Sequence, residues 1–303
     1  MRFLSIGECM AELAPASVAG NYTLGFAGDT FNTAWFLARI RPDADVAFFT
    51  AAGTDTISGQ MRDAFVDGGI LTDYVQTIPD RTVGLYLISL DNGERSFSYW
   101  RGQSAARQLA DDAGALAQAM ENSDTIYFSG ITLAILDAPA RATLLDEMRT
   151  ARAAGKTIAF DPNLRPRLWT NDAEMTSVIM EGATVADIVL PSFEDEADHF
   201  GDADPQATAD RYLAVGATTV VVKNGADDVL FVEKGETGIV PVTAISEVVD
   251  TTAAGDSFNA GVFAGLASGS SLADAIALAC RLSGLVVQGK GALVPVNAEA
   301  LEG

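Results

Sequence analysis

Two cysteines and one histidine are all that a chain of 303 residues carries of either type. Cys9 and Cys280 cannot make a disulfide framework, so a packed core must hold the fold. With His199 as the single histidine, a histidine-rich metal centre is excluded. A Ser-His-Asp triad would depend on that one ring, which lies in the acidic segment Asp195-Glu196-Ala197-Asp198-His199. That segment reads as a solvated helix face. Positive charge is scarce too: 19 Lys and Arg against 41 Asp and Glu leave a net charge of −22. No basic run overrides that field, so no nucleic-acid partner is expected. No apolar run approaches the ~18 residues that cross a bilayer. The apolar stretch before Glu8 is too short for a signal peptide. A soluble, cytoplasmic chain without a membrane partner is expected. The 28 glycines and 10 prolines follow no fixed period, which excludes collagen-like repeats.

Hydrophobic residues make up 49% of the chain, enough for a full core. Strand-length apolar runs fall at 3–7, 46–51, 125–129, 157–161, 188–191 and 218–223. Several are apolar on both faces, as buried parallel strands are. Helical spacing recurs between them, at 32–39, 58–66, 140–153 and 207–215, and two further helices are expected at 257–267 and 272–287. The alternation predicts an α/β fold with a mostly parallel sheet. One region breaks it. The runs 83–90 and 95–100 flank Asp91-Asn92-Gly93-Glu94, and Asn-Gly is a strong hairpin signal because both residues accept positive φ. With 22–26, this hairpin is expected to form a small separate sheet.

The densest chemical signal is Val249-Asp250-Thr251-Thr252-Ala253-Ala254-Gly255-Asp256-Ser257-Phe258-Asn259. Small residues run straight into a helical pattern. There the backbone N–H groups of Ala254, Gly255 and Asp256 are expected to face an anion, helped by the helix dipole. Asp256 would sit beside it. A second small, polar run, Ala27-Gly28-Asp29-Thr30-Phe31-Asn32-Thr33, also enters a helix.

Together, in this order and at this separation, the two segments resemble the signatures of the ribokinase-like, or PfkB, carbohydrate kinases. The resemblance covers essentially the whole chain, although Ala253 stands where the family usually has Gly. It implies a doubly wound, mostly parallel sheet with a small β lid: one kinase domain over 1–303, with lid strands from about 20–27 and 75–101. It implies transfer of the ATP γ-phosphoryl group to a sugar hydroxyl, with Asp256 as base and Ala253, Ala254, Gly255 and Asp256 as anion hole. A carboxylate is a weak base for an alcohol, which suffices when the proton moves late in a loose transition state.

The same resemblance distributes the remaining residues. Lys223, Gly225 and Asp228, in a strand-turn, fall to the nucleotide with Asn163, Ser192 and Gly255. Ser192-Phe193-Glu194-Asp195 occupies the place of an Asn-x-x-Glu motif, which points to Asp195 for Mg²⁺. Asp250 and Thr252 are candidates for a monovalent cation, K⁺, found in some members. Gly28, Asp29, Asn32, Tyr86, Tyr99, Arg101 and Arg165, with Asp256, fall to the sugar. Guanidinium pairs with carboxylate through two parallel hydrogen bonds, so Arg101 and Arg165 point to a sugar acid. The whole set resembles the family members that phosphorylate 2-keto-3-deoxygluconate. A neutral-sugar kinase is the alternative. A dehydrogenase is disfavoured, because no strand leads into Gly-x-Gly-x-x-Gly. The apolar hairpin also leads us to expect a homo-oligomer joined through the lid.

Overall fold

The computed structural model describes residues 1–18, 20–91 and 94–301. Thirteen strands are found among them: β1 (Arg2–Ile6), β2 (Met10–Pro15), β3 (Tyr22–Ala27), β4 (Asp45–Ala52), β5 (Val75–Thr77), β6 (Gly84–Asp91), β7 (Glu94–Trp100), β8 (Thr125–Ser129), β9 (Thr157–Asp161), β10 (Ile188–Val189), β11 (Thr219–Val222), β12 (Val229–Glu233) and β13 (Glu236–Val240). Nine form one sheet, in the order β13-β12-β11-β10-β9-β8-β1-β4-β5. It is parallel except at the β11–β12 and β12–β13 edge.

Alternating side chains of the central strands feed two cores, as a sheet covered on both faces requires. Leu4, Ile6, Ile126, Phe128, Ile158 and Phe160 meet the helices Ala113–Glu121, Ala138–Ala153, Asp172–Ala183 and Pro205–Ala214. Phe3, Tyr127 and Ala159 point the other way, to the helices Asp29–Ile40, Thr56–Asp67, Ala254–Ala267 and Leu272–Val286. The fold is therefore doubly wound, as expected. Part of the acidity is structural. Asp55, Asp112, Asp137 and Asp204 each cap a helix by accepting a backbone N–H of its first turn.

The small sheet has the order β3-β2-β6-β7. Its hairpin β6–β7 forms where expected, while the Asn92-Gly93 turn itself lies outside the described residues. Two expectations need correction. β5 joins the large sheet beside β4, so the lid does not begin at 75. A fourth lid strand, β2, pairs with both β3 and β6. Its alternation is interrupted by Glu12, whose carboxylate takes the Tyr86 hydroxyl across the sheet.

The acidic segment is also not a solvated face. Glu196 is fully buried, accepting from Arg211 Nη2 at 2.7 Å and from the Tyr212 hydroxyl at 2.9 Å. Burial pushes its carboxyl up to about 7 against the pull of Arg211.

Candidate active site

In a doubly wound sheet, ligands gather at the carboxyl ends of the strands, where the strand order reverses. Here β1 is the turning point, flanked by β4 and β8. Glu8 follows β1, Asp161 ends β9, Ser192 follows β10 and Lys223 follows β11. The lid lies over these ends. Between them runs a cleft of two joined cavities, about 340 and 590 Å³, which share Met10, Gly28, Asp29, Phe97, Tyr99, Ile131 and Arg165.

The smaller cavity holds most of the expected residues. Gly28, Asp29, Asn32, Tyr86, Tyr99, Asn163, Arg165, Ser192, Asp195, Lys223, Thr252 and the run Ala253-Ala254-Gly255-Asp256 all line it. Gly225, Asp228 and Asp250 do not. Asp228 accepts instead from the Val242 N–H at 3.3 Å. Asp250 ties its own turn to the next loop, accepting from Thr252 Oγ1 at 2.7 Å and from the Gly291 N–H at 2.7 Å.

At the head of the cavity starts the helix Ala254–Ala267. Its N-cap, Ala253, has φ 60°, a left-handed conformation that costs any residue but glycine. No side chain caps this helix. The Ala254 N–H bonds to Thr251 O at 3.1 Å, so it is not free as expected. The N–H groups of Gly255 and Asp256 find no acceptor among the described residues. Two unspent donors at a helix N-terminus are suited to an anion.

Asp256 is held by its neighbours. Asn32 Nδ2 donates to Asp256 Oδ2 at 2.8 Å, while Asn32 Oδ1 accepts from the Gly28 N–H at 3.3 Å. Glycine is required at 28, since a Cβ there would lie 2.1 Å from Glu8 O. Burial pushes the Asp256 carboxyl up to about 8. Asp29 and Asp161 reinforce the shift, while Asn32 and Lys223 oppose it. Lys223 Nζ is bound on both sides, by Asp161 Oδ2 at 2.8 Å and Asn259 Oδ1 at 3.3 Å. This buried cation lies beneath Gly255, where an added Cβ would be 3.6 Å from Nζ. Asp29 accepts from Asn163 Nδ2 at 2.8 Å. Asp161 thus holds the Lys223 ammonium, and Asp29 and Asp161 together keep the Asp256 carboxyl basic.

The larger cavity has a different wall. Arg101 lines it rather than the smaller one. Its Nη2 pairs with Glu8, whose other oxygen takes the Ser104 hydroxyl. Arg101 Nε is buried without a partner. Arg165 lines both cavities, with Nη1 3.6 Å from Asp195. Burial raises the Asp195 carboxyl against that cation. Glu8, Ile131, Phe97 and Arg167 also face the larger cavity and were missed in the sequence. Glu8 carried a signal, being the residue just past the first strand.

The model of the pfkB family carbohydrate kinases matches residues 2–299. The chain is 40% identical over 302 residues to the 2-dehydro-3-deoxygluconokinase of Dickeya dadantii (strain 3937), covering 97% of this chain and 96% of that protein. It is 39% identical to the 2-dehydro-3-deoxygluconokinase of Escherichia coli (strain K12), covering 97% of each. The crystal structure of a fructokinase with bound ATP from Xylella fastidiosa has a TM-score of 0.86 at 25% identity, covering 99% of this chain and 97% of that one.

Proposed function

The chain belongs to the pfkB family of carbohydrate kinases, and on that premise we propose that it transfers the γ-phosphoryl group of ATP to 2-dehydro-3-deoxygluconate (2-keto-3-deoxygluconate), giving the 6-phosphate. The observation that carries this reading is the asymmetry of the cleft: a carboxylate beside a helix N-terminus at one end, an arginine wall at the other. The sugar hydroxyl oxygen attacks the γ-phosphorus, the bond to ADP breaks, and the hydroxyl proton passes to Asp256. The Gly255 and Asp256 N–H groups stabilise charge on the transferring group, with Lys223 behind them. Arg101 and Arg165 hold the sugar carboxylate, and Tyr86, Tyr99, Asn32 and Gly28 frame the sugar.

The nucleotide lies on the β10–β11 side, past Ser192, Lys223 and Gly225. Mg²⁺ travels on its phosphates and keeps several waters. When bound it would offset phosphate charge, and Asp195 on the cleft wall would be the residue to meet its water shell. Asp250 and Thr252 are proposed beside a monovalent cation, tested by comparing rates in potassium and in tetramethylammonium. Tyr22, Leu24 and Trp100 lie 39–59% exposed on the lid. The β2–β3, β2–β6 and β6–β7 registers place them on the face of Leu85 and Leu87, opposite Tyr86 and Phe97. That apolar face is proposed as the contact of a homodimer. Light scattering at micromolar concentration should give twice the chain mass, and a monomer would contradict the contact. A coupled ATP-turnover assay on the sugar acid tests the activity itself.

A further inference from the structure

Five charged groups line the larger cavity: the carboxylates of Glu8 and Asp29, and the guanidiniums of Arg101, Arg165 and Arg167. The first two arginines are already opposed. Arg101 is paired with the buried Glu8, and Arg165 faces Asp195 at 3.6 Å. Arg167 differs. It stands on the short helix Pro166–Leu168 of the core, exposed, and its guanidinium has neither ion pair nor hydrogen bond among the described residues. Without it, the wall would carry two positive and two negative charges. With it, the five lining groups sum to one positive charge inside a chain of net charge −22, while Asp195, beside Arg165, lines the smaller cavity instead.

We infer that Arg167 is the specificity-determining cation of the acid subsite. It supplies the net attraction that draws a carboxylate into the larger cavity, where Arg101 and Arg165 then fix its orientation. This rests on the sugar-acid reading above. The oriented pair gives geometry, because each guanidinium is held by a protein group. The third gives charge, because no carboxylate among the described residues is in contact with it. An exposed charge of this kind acts mainly on capture, and salt weakens it.

The test is steady-state kinetics of Arg167→Gln and Arg167→Lys, with sugar-acid binding followed by thermal shift without ATP. Arg167→Gln breaks no hydrogen bond or ion pair among the described residues and should fold normally. Its KM for the sugar acid should rise about tenfold, the lower end of what a charge-assisted hydrogen bond contributes. Its kcat should stay within twofold and its KM for ATP should not move. The thermal shift given by the sugar acid should shrink in parallel. Arg167→Lys should keep most of the affinity, since charge rather than fork geometry is required. Added NaCl should raise the wild-type KM more than the variant's. A sugar-acid KM within twofold of wild type in Arg167→Gln would overturn this inference alone. A wild type that prefers fructose would overturn the sugar-acid reading and this inference with it.

Discussion

The two ends of the cleft solve opposite electrostatic problems with the same device, a buried carboxylate–cation pair. At the phosphoryl end Asp161 holds Lys223, and the surrounding carboxylates outnumber the cation. At the sugar end Glu8 holds Arg101, and the arginines outnumber the carboxylates. The pair fixes where a charge sits, and the unpaired remainder sets the chemistry at that end. The excess carboxylate at one end keeps a proton acceptor basic. The excess guanidinium at the other suits an anionic substrate.

The most damaging change to this contrast is Asp256→Asn, which keeps shape and removes the acceptor. Turnover should fall by roughly 10²–10⁴-fold, the scale of general-base catalysis, with the sugar KM changed only a few-fold. Near-normal turnover would refute the assignment. The same variant should be more stable. In the fold the Asp256 carboxyl lies at about 8 against 3.8 when exposed, so the native state binds the extra proton between those values. Its contribution to stability therefore declines as pH climbs through that window. Asparagine removes the cost of ionising there, and Tm at pH 8.5 should rise by roughly 1.5–2 °C, what about 1 kcal/mol gives a chain of this size. At pH 5 the gain should be smaller.

Next in size is Arg101→Ala at the opposite end. Losing one partner of a buried pair costs about 2–5 kcal/mol, or a factor of roughly 30 to several thousand in binding. The sugar-acid KM should rise accordingly while the ATP KM stays unchanged. Arg101→Lys should rescue in part, because a point charge replaces a planar fork. If both KM values rose together, Arg101 would be holding the fold rather than the substrate.

A smaller and more discriminating effect is on pH. In the free enzyme kcat/KM should fall as pH drops below about 8, when Asp256 takes up its proton. Asp29 raises that carboxyl, so Asp29→Asn should move the acidic limb to lower pH. An unmoved limb would show that another group titrates.

The phosphoryl end was largely legible in the sequence because its signal is local. Ala253-Ala254-Gly255-Asp256 carries the turn, the helix start and the proposed base within four residues. The missed detail there, the Ala254 N–H, is spent on Thr251 by the left-handed turn at Ala253. The sugar end was legible only by halves. Arg101 and Arg165 stood out, but Glu8 is 93 positions from Arg101, and no periodicity joins them. The same holds in the lid, where β2 is set by pairing with β6, more than 70 residues away, and its inward Glu12 disguises the alternation. Glu196 looked solvated because its partners Arg211 and Tyr212 lie on the following helix. Elements fixed by their own residues could be read, and those fixed by a distant partner could not.

We propose that the arginine end makes this chain a kinase of a sugar acid. The most direct measurement is the initial rate of the wild type at saturating ATP on 2-dehydro-3-deoxygluconate, with fructose and ribose alongside. kcat/KM should be at least about 30-fold higher on the acid, the lower bound for one desolvated ion pair. An equal or higher value on fructose or ribose would contradict it.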